Sequence, residues 1–412
     1  MSLLDKATII TTPTAHSNGV LHSIKGGSVA DFDVVRGSAA TRVNAEGLIE
    51  DVATNIPRID YTGGGCPSLL LEPQSTNLIT YSEDFSDASW TNARSSSSAN
   101  ETISPSGVLD AYKLFDSAES NTHLLFNTQA TTIGSVYSFS FFIKKGTLTK
   151  AFLAFNASVN QSVVFDLENG LVYEEGLDID SSKIEDYGND WFRCSFTHTA
   201  SNTSTLYRLG TYDGSITYTG TGTDYVYLWG AQFESLPYST SYIPTSGAIA
   251  TRLADSVTGA GDATTFNSTE GVLYAEIAAL ANDSQFKSIS LKNSLTSTYS
   301  DTLNITYSST SNEILAVYRV GTTSAVIISK TLSNSLDFIK CAFKFKSGEF
   351  SFWVNGVEAG VSTNTTMLSI GTLDKAVLSR SDGASPFYGK VKALAIFNEA
   401  LTDSELQCLT TI

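Results

Sequence analysis

The chain has 412 residues with a formal net charge of −17, and only 16% of its residues are charged. Such an acidic chain repels a phosphate backbone and an anionic membrane. We therefore do not expect the protein to bind nucleic acids or membranes. The length favours two or three domains, and the 22 Phe and 18 Tyr predict β-strands joined by tight turns.

The cysteines and the N-terminus predict a chain that folds in a reducing compartment. The four cysteines are widely and irregularly spaced, which favours neither a zinc site nor a disulfide framework: Cys66, Cys194, Cys341 and Cys408. The first residues lack the basic and apolar regions of a signal peptide. No run reaches the roughly 18 apolar residues that a membrane span needs.

Residues 1–75 are weakly patterned and interrupted by glycine-rich turns. We expect an extended, partly strand-forming segment that packs on later domains, sister subunits or a larger assembly. One short phrase, Ala-Thr-Arg followed by an aliphatic residue, occurs at residues 40–43 and again at 250–253. We interpret the two copies as connectors at domain boundaries; the alternative is coincidence in a sequence of low diversity.

Residues 76–250 have the alternation of an antiparallel β-sandwich. In "SVYSFSFFIKKG" the side chains of Phe139, Phe141 and Ile143 share one face. Asn169-Gly170 supplies the positive φ of a hairpin turn. Short strands recur with turn signals between them, which predicts a sandwich or jelly roll.

Residues 251–412 predict a second antiparallel sandwich. Several short strands lead to "DFIKCAFKFKSGEFSFWVNGVEAG", with hairpin turns expected at Ser347-Gly348 and Asn355-Gly356. The one convincing helix signal is a capping box, in which Thr402 is followed three residues later by Glu405. The predicted fold class is therefore all-β, with two antiparallel β-sandwich domains after an extended N-terminal segment.

Several stretches resemble known families. "IPRIDYTGGGCPSLLLEPQSTN" and "GAQFESLPYSTSYIPTSGAIATR" resemble segments of tailed-bacteriophage virion surface proteins, of the head-fibre, spike or tail-fibre type. The domain between them resembles carbohydrate-binding modules of the jelly-roll kind. "FSFWVNG" and "GKVKALAIFNEAL" resemble laminin-G-like or concanavalin-like lectin sandwiches, although position 353 is Trp where that family often has Tyr.

This resemblance implies a virion structural or adhesion protein. Residues 1–75 would attach it to other virion proteins of the capsid or tail, residues 76–250 would form the carbohydrate-binding-module-like jelly roll, and residues 251–412 the lectin-like sandwich. We expect a homo-oligomer, with a trimer as the first choice, that adheres multivalently to host or environmental glycans from the virion surface.

Candidate glycan-binding residues are aromatic side chains beside polar ones, because a ring can stack on a pyranose while polar groups bind its hydroxyls: Trp90, Tyr212, Asp213, Tyr218 and Trp353. Trp90 lies in a loop-like stretch and is either core or sugar platform. Trp353 projects opposite its neighbours in the strand and could contact a sugar or a sister subunit. Trp191 and Trp229 are expected in the core.

No cofactor is expected to be required, but a structural calcium ion is a possibility. Calcium needs six to eight oxygen ligands. The stretch "SEDFSD" offers Glu83, Asp84 and Asp87. Similar modules pair such acids with one on the last strand, which here would be Glu234.

Catalysis is not expected. The four histidines accompany no recognisable nucleophile motif. Phage enzymes that degrade glycans usually form a parallel β-helix, and no short solenoid repeat is present. Two alternatives to a glycan-binding adhesin remain, namely a purely structural decoration protein and a glycan-degrading tail enzyme.

Overall fold

The computed structural model describes residues 2–156, 158–257 and 259–412. The strands within it pair antiparallel and form two β-sandwiches, which confirms the predicted all-β fold class. Neither of the helices in the described ranges is long and apolar enough to cross a membrane.

The elements follow one another along the chain in three groups. The first group contains one short helix and eight strands: α1 (Leu3–Lys6), β1 (Ala7–Ser17), β2 (Val20–Lys25), β3 (Phe32–Val35), β4 (Ala40–Val43), β5 (Ile49–Val52), β6 (Ile59–Asp60), β7 (Ser68–Leu71) and β8 (Ser75–Asn77). The second group contains fourteen strands: β9 (Thr91–Ala93), β10 (Ser96–Ile103), β11 (Leu109–Phe115), β12 (Ser120–Asn121), β13 (Leu124–Ala130), β14 (Val136–Lys145), β15 (Lys150–Phe155), β16 (Ser162–Asp166), β17 (Leu171–Glu175), β18 (Ser181–Asp186), β19 (Trp191–Thr199), β20 (Ser204–Tyr212), β21 (Tyr218–Thr219) and β22 (Tyr225–Glu234). The third group contains twelve strands and a helix: β23 (Ala250–Arg252), β24 (Ser256–Val257), β25 (Glu270–Ala279), β26 (Lys287–Lys292), β27 (Thr302–Tyr307), β28 (Glu313–Val320), β29 (Thr323–Thr331), β30 (Ile339–Lys346), β31 (Phe350–Val354), β32 (Val357–Ser362), β33 (Lys375–Val377), β34 (Gly389–Phe397) and α2 (Asp403–Thr410).

The first sandwich consists of two six-stranded sheets. We call the sheet with the order β10-β11-β22-β14-β19-β18 the docked sheet, and the sheet with the order β17-β16-β15-β20-β13-β9 the open sheet. The alternation in β14 places Phe139, Phe141 and Ile143 in the core between them, as predicted. Cys194 is buried in the same core, and all four cysteines are free thiols.

The second sandwich incorporates the N-terminal segment. Its larger sheet has the order β24-β3-β2-β1-β34-β25-β30-β31-β32, and β7 also pairs with β34. Ile9 on β1 lies opposite Ile396 on β34 and is fully buried. Residues 1–75 thus pack on a later domain, which is one of the arrangements expected from the sequence, because the apolar side chains of β1 to β3 complete the core of residues 256–412.

The predicted turns and helix cap of the second sandwich are present. β30 and β31 join through Ser347-Gly348, and Val354 pairs with Val357 across a two-residue turn. Asn355 and Gly356 in that turn both have positive φ, 51° and 77°, as a type I′ hairpin requires. Helix α2 begins with the expected reciprocal capping box between Thr402 and Glu405.

The hairpin of β4 and β5 docks the N-terminal segment onto the first sandwich. Val43 and Ile49 pack on Phe142, Trp191 and Trp229, which lie on the outer face of the docked sheet. The two tryptophans are buried, as expected, but they fill this seam instead of the interior of the sandwich.

Five charged side chains are buried together where the two sandwiches meet, and we call them the junction cluster: Arg36, Arg58, Glu72, Arg252 and Asp255. Arg58 pairs with both Asp255 and Glu72, the latter at 2.5 Å between Nη1 and Oε2. Arg36 Nη1 lies 3.1 Å from Asp255 Oδ1, and Arg252 Nη1 lies 3.4 Å from Glu72 Oε2. The cluster thus ties the N-terminal segment to the connector that leaves the first sandwich.

Backbone hydrogen bonds fix the geometry of the junction cluster. The amide of Glu72 donates to Asp255 Oδ2 at 2.9 Å, and the amide of Asp255 donates to the Glu72 carbonyl at 2.9 Å. The Ser241 amide and hydroxyl each donate to the Glu72 carboxylate at 2.7 Å. Buried charges are tolerated only when they are paired and hydrogen-bonded in this way.

The charges of the cluster hold one another ionised. Burial by itself would raise the pKa of Glu72, but the Arg252 and Arg58 guanidinium groups hold that pKa well below its usual range. Burial would likewise lower the pKa of Arg58, and the carboxylates of Glu72 and Asp255 raise it instead.

The two copies of the Ala-Thr-Arg phrase meet at this junction. The amide of Leu253 donates to Ser38 Oγ at 2.9 Å. A Cβ on Gly37 would lie 3.0 Å from Leu253 Cδ1. The arginines of the two copies have different partners. Arg42 pairs with Glu50 near the surface, whereas Arg252 belongs to the junction cluster.

Acid should weaken the junction through Glu72. Because its pKa is depressed in the folded state, its stabilisation is complete above the unfolded-state value of about 4.3 and is lost as the pH falls below it. We expect the free energy of unfolding, from urea denaturation, to decline between about pH 5 and pH 3. Glu72→Gln should lower it by about 3–5 kcal/mol at pH 7 and make the decline shallower.

The matched control is Asp213→Asn, which removes an exposed carboxylate. It should change the free energy of unfolding by less than about 0.5 kcal/mol. A Glu72→Gln variant as stable as the parent chain would show that the cluster does not stabilise the junction.

Candidate functional site

A cleft of about 530 Å³ opens beside the junction cluster, between the two sandwiches. We call it the junction cleft. Its walls are β18 and β19 of the docked sheet, the β4–β5 hairpin, residues 237–242, and residues 279–283 and 336–338 of the second sandwich. The volume lies within the range of about 300–1,000 Å³ that is typical of small-molecule sites.

Antiparallel pairing places polar side chains on one wall of the cleft. On β18 and β19, Lys183 lies opposite Ser195 and Glu185 lies opposite Arg193. The intervening Cys194 points into the core of the sandwich, because successive side chains of a strand face opposite sides. The pattern of β19 therefore buries one face and offers the other to the cleft.

Arg193 forms part of the cleft wall without a carboxylate partner. Its Nη1 donates to the Thr240 carbonyl at 2.5 Å and its Nη2 to Ser140 Oγ at 3.1 Å, while Nε has no hydrogen-bond partner. The guanidinium carbon lies 5.4 Å from the centre of the Phe142 ring. These contacts hold the guanidinium group rigidly in the wall of the cleft.

Five aromatic residues line the cleft, and the half-buried ones are Tyr187, Tyr238 and Phe338. Burial raises the pKa of both tyrosines, so their phenols remain protonated and can donate hydrogen bonds at neutral pH. Half-buried rings beside hydroxyl donors are the groups that bind the apolar face and the hydroxyls of a sugar.

Most of the charges around the cleft are neutralised in pairs. Lys183 Nζ lies 2.7 Å from Glu185 Oε1, and Lys390 Nζ lies 3.4 Å from Asp60 Oδ2. Asp283 pairs with Lys287. Hydroxyl and amide groups therefore dominate the polar lining, which suits an uncharged polyhydroxylated ligand.

The structure places the two predicted tryptophan platforms in the interior. Trp90 is 5% exposed, donates from Nε1 to the Tyr81 carbonyl at 2.8 Å, and packs edge-on against Phe85 and Phe141. Trp353 is 8% exposed and packs with Leu401 and Leu406, beneath helix α2. Trp90 therefore takes the core alternative, and the interpretation of Trp353 as an open contact surface is wrong.

The other predicted glycan ligands lie at one end of the open sheet, away from the junction cleft. Tyr212 is buried and donates to Glu174 Oε1 at 3.2 Å, while Asp213 is exposed. Tyr218 is half-buried, with its hydroxyl 2.8 Å from Thr211 Oγ1. Their role in glycan binding stays a prediction.

The four predicted calcium ligands are not brought together. Glu83 accepts from the Tyr242 hydroxyl at 2.9 Å, and Asp84 accepts from the Tyr112 hydroxyl at 2.9 Å. Asp87 accepts from the Ser89 amide, and Glu234 is buried beneath Ser75 and Thr240. No group of three or more His, Cys, Asp or Glu in the described ranges could hold a metal ion.

A Ser-His-Asp arrangement that the sequence analysis missed is formed by the β1–β2 hairpin and the residue that precedes β3. Ser17 Oγ is 2.7 Å from His22 Nε2, and His22 Nδ1 is 2.8 Å from Asp31 Oδ2. The Ser23 amide fixes the other oxygen of Asp31 at 2.8 Å. This order of contacts is that of a hydrolase triad. No sequence motif marks it, since only the hairpin brings the three residues together.

Comparison with known proteins supports a concanavalin A-like domain in the C-terminal part. Residues 263–407 match the model of a family described as the Concanavalin A-like lectin/glucanases superfamily. No curated protein matches the chain in sequence. The matched range excludes β1 to β3, which extend the sheet of that sandwich from the other end of the chain.

Among solved structures, the chain is similar to carbohydrate-binding domains. The CBM40 domain of Ruminococcus gnavus IT-sialidase, bound to alpha2,3 sialyllactose, is 14% identical over 37% of this chain and 93% of its own, with a TM-score of 0.31. Domain 4 of AbnA, an extracellular arabinanase from Geobacillus stearothermophilus in complex with arabinotriose, is 16% identical over 42% of this chain and 82% of its own, with a TM-score of 0.30.

Proposed function

We propose that this protein is a non-enzymatic glycan-binding protein of a tailed-bacteriophage virion surface, and that the junction cleft is its principal sugar site. The observation that carries the proposal is the cleft itself, in which aromatic rings and protonated phenols stand beside hydroxyl groups and paired charges. Hydroxyl-rich ligands match that lining. The carboxylates around the cleft are paired with basic side chains, so they leave little net charge to attract an ion.

In the proposed complex, the apolar face of a pyranose packs on Tyr238 or Phe338. Its hydroxyls bond to side chains such as those of Ser195 and Ser239, of which the Ser239 hydroxyl is buried without a hydrogen-bond partner. A single site of this kind is weak. Several copies in a homotrimer, repeated over a virion, raise the avidity through effective concentration.

The virion assignment rests on the phage-like stretches and on what they build. "IPRIDY" and "LLLEPQSTN" supply Arg58 and Glu72, and the closing stretch supplies Arg252. The segment that resembles a virion anchor thus serves as the junction of the fold. Attachment to capsid or tail proteins would then use the folded surface beside β2 and β3, where Ile24 and Val35 expose apolar side chains.

A cryo-EM map of the phage particle that carries this chain tests the virion assignment. We expect the edge of the second sandwich around β2 and β3 to face the particle and the junction cleft to open to solvent. A map in which neighbouring subunits fill the cleft would favour the alternative, a structural decoration protein without a ligand.

Glycan-array binding tests the sugar site. The parent protein should bind a subset of the glycans on the array, and Tyr238→Ala should weaken that binding about tenfold or more, because the wall of the cleft loses its ring and its phenol. Titration calorimetry with the best array ligand measures the change in Kd, and circular dichroism verifies that the variant is folded.

Tyr173→Ala is the matched control, since Tyr173 is 52% exposed on β17 and lies outside the cleft. It should leave the Kd unchanged. Absence of any bound glycan, or a Tyr238→Ala variant that binds like the parent, would refute the cleft as a sugar site.

Hydrolysis is a second candidate function, favoured by the Ser17–His22–Asp31 contacts. In such a reaction Ser17 Oγ would attack an ester carbonyl, its proton would pass through His22 to the leaving alcohol, and water would then release the acid from Ser17. The side chain of His22 is 42% exposed. Water at this open hairpin would compete with any stabilisation of the developing oxyanion, so binding is the preferred proposal.

Release of p-nitrophenol from p-nitrophenyl acetate decides between the two. We expect the parent protein and Ser17→Ala to release it at the same rate, as a non-enzymatic chain would. Faster release by the parent that Ser17→Ala abolishes would establish the protein as an esterase.

A further inference from the structure

The two sandwiches give the junction cleft walls of opposite character. The second sandwich contributes four apolar side chains, which we call the apolar wall: Leu280, Ala281, Leu336 and Phe338. Strand β18 of the first sandwich contributes four polar side chains, all exposed or half-buried, which we call the polar wall: Ser181, Ser182, Lys183 and Glu185. A ligand that fills the cleft therefore meets hydrocarbon from one sandwich and hydrogen-bonding groups from the other.

The apolar wall is open to solvent and to a ligand. The amide of Ala279 donates to the Ser335 carbonyl at 3.0 Å, which holds the stretches 280–281 and 336–338 side by side. Leu336 is 40% exposed, and Leu280 is half-buried. Apolar surface of this kind gains free energy when a ligand removes it from water.

The polar side chains next to the apolar wall are already engaged within the second sandwich. Asn282 Nδ2 donates to Ser311 Oγ at 2.6 Å, and Asn282 Oδ1 accepts from the Asn312 amide at 3.1 Å. Asp283 pairs with Lys287. A ligand hydroxyl placed against the apolar wall would give up its water without gaining either of these side chains as a partner, and such a loss is unfavourable.

We propose that the junction cleft selects a 6-deoxyhexose, whose C6 methyl group packs on the apolar wall while its ring hydroxyls bond to the polar wall. The inference rests on the proposed glycan-binding function and names the class of sugar for the same site. The methyl group and the ring hydroxyls stand on different carbons, so each can lie against its own wall at once.

Other common C-substituents fit the apolar wall less well. A hydroxymethyl group would bring its hydroxyl against Leu280 and Leu336. An acetamido group would bring an N–H and a carbonyl, which Asn282 and Asp283 cannot serve because they are engaged elsewhere. The bare methyl group needs only apolar contact.

Competition on the full chain tests the selection. The best array ligand is displaced by the methyl glycosides of L-rhamnose, L-fucose and D-quinovose, each compared with its 6-hydroxy counterpart, L-mannose, L-galactose and D-glucose. Each pair has the same ring stereochemistry and differs by one hydroxyl. We expect at least one deoxy sugar to compete about tenfold or more strongly than its counterpart. Equal or weaker competition by the deoxy sugar in all three pairs would overturn the proposal.

Leu336→Asn assigns the preference to the apolar wall. This variant keeps the approximate volume and places a polar group beside the methyl site, so the preference for the deoxy sugar should fall to about threefold or less. Ala281→Ser is a second and smaller change to the same wall, and it should act in the same direction. The thermal unfolding midpoint verifies that both variants are folded.

Leu295→Asn makes the same substitution elsewhere in the second sandwich. Leu295 is 91% exposed and does not line the cleft. This variant should keep the full preference for the deoxy sugar. An equal loss of preference in Leu295→Asn and Leu336→Asn, or no loss in either wall variant, would contradict the role of the apolar wall.

The outcomes separate this selection from the proposed function. Array binding that Tyr238→Ala weakens, with no deoxy sugar preferred over its counterpart, would refute the selection while keeping the cleft as a sugar site. Absence of any bound glycan in the parent protein would refute both.

Discussion

The pairing of Arg58 with Glu72 and Asp255 is the contact on which the arrangement of the two sandwiches depends. A planar guanidinium group between two buried carboxylates tolerates little displacement, because each lost contact leaves a charge in a dry interior. Glu72 is also part of the wall of the junction cleft, and Ser241 beside it donates to that carboxylate. The shape of the candidate sugar site is therefore set by an interaction that itself binds no sugar.

Three arginines of the first sandwich and its junction illustrate how differently one side chain can be buried. Arg58 is compensated by acids, Arg193 by a carbonyl and a hydroxyl, and Arg208 by nothing in the described ranges. The acids hold Arg58 in place at the junction, whereas a carbonyl and a hydroxyl hold Arg193 in the wall of the cleft.

Local sequence patterns were sufficient to predict the strands, the turns and the cap of α2, because alternation and Asn-Gly turns depend on residues only a few positions apart. They left Trp90 undecided between core and surface, and they placed Trp353 on the surface. A tryptophan on the outer side of a strand is predicted to be exposed when the sequence does not show which distant element covers it. Helix α2 covers Trp353, and this helix lies about fifty residues further along the chain.

The sequence left the packing partner of the N-terminal segment open, and it did not indicate the site. Strand β1 pairs with β34 and β3 pairs with β24, and neither pairing with so distant a strand can be inferred from the local pattern. The junction cleft combines side chains from widely separated stretches between Thr41 and Lys390, and each stretch alone has the pattern of an ordinary strand or turn. Tyr238 in "PYSTSY" was quoted only as part of a closing segment, although an aromatic side chain in a turn was an available signal.

The pairing of β1 with β34 also constrains when the protein can fold. Strand β1 leaves the ribosome long before its partner β34 has been synthesised. Closing so long a loop is slow, and it leaves the edge of β1 unpaired in the meantime. The first sandwich contains its own partners and can form earlier. The chain should therefore mature from its middle outward, with its two ends closing last.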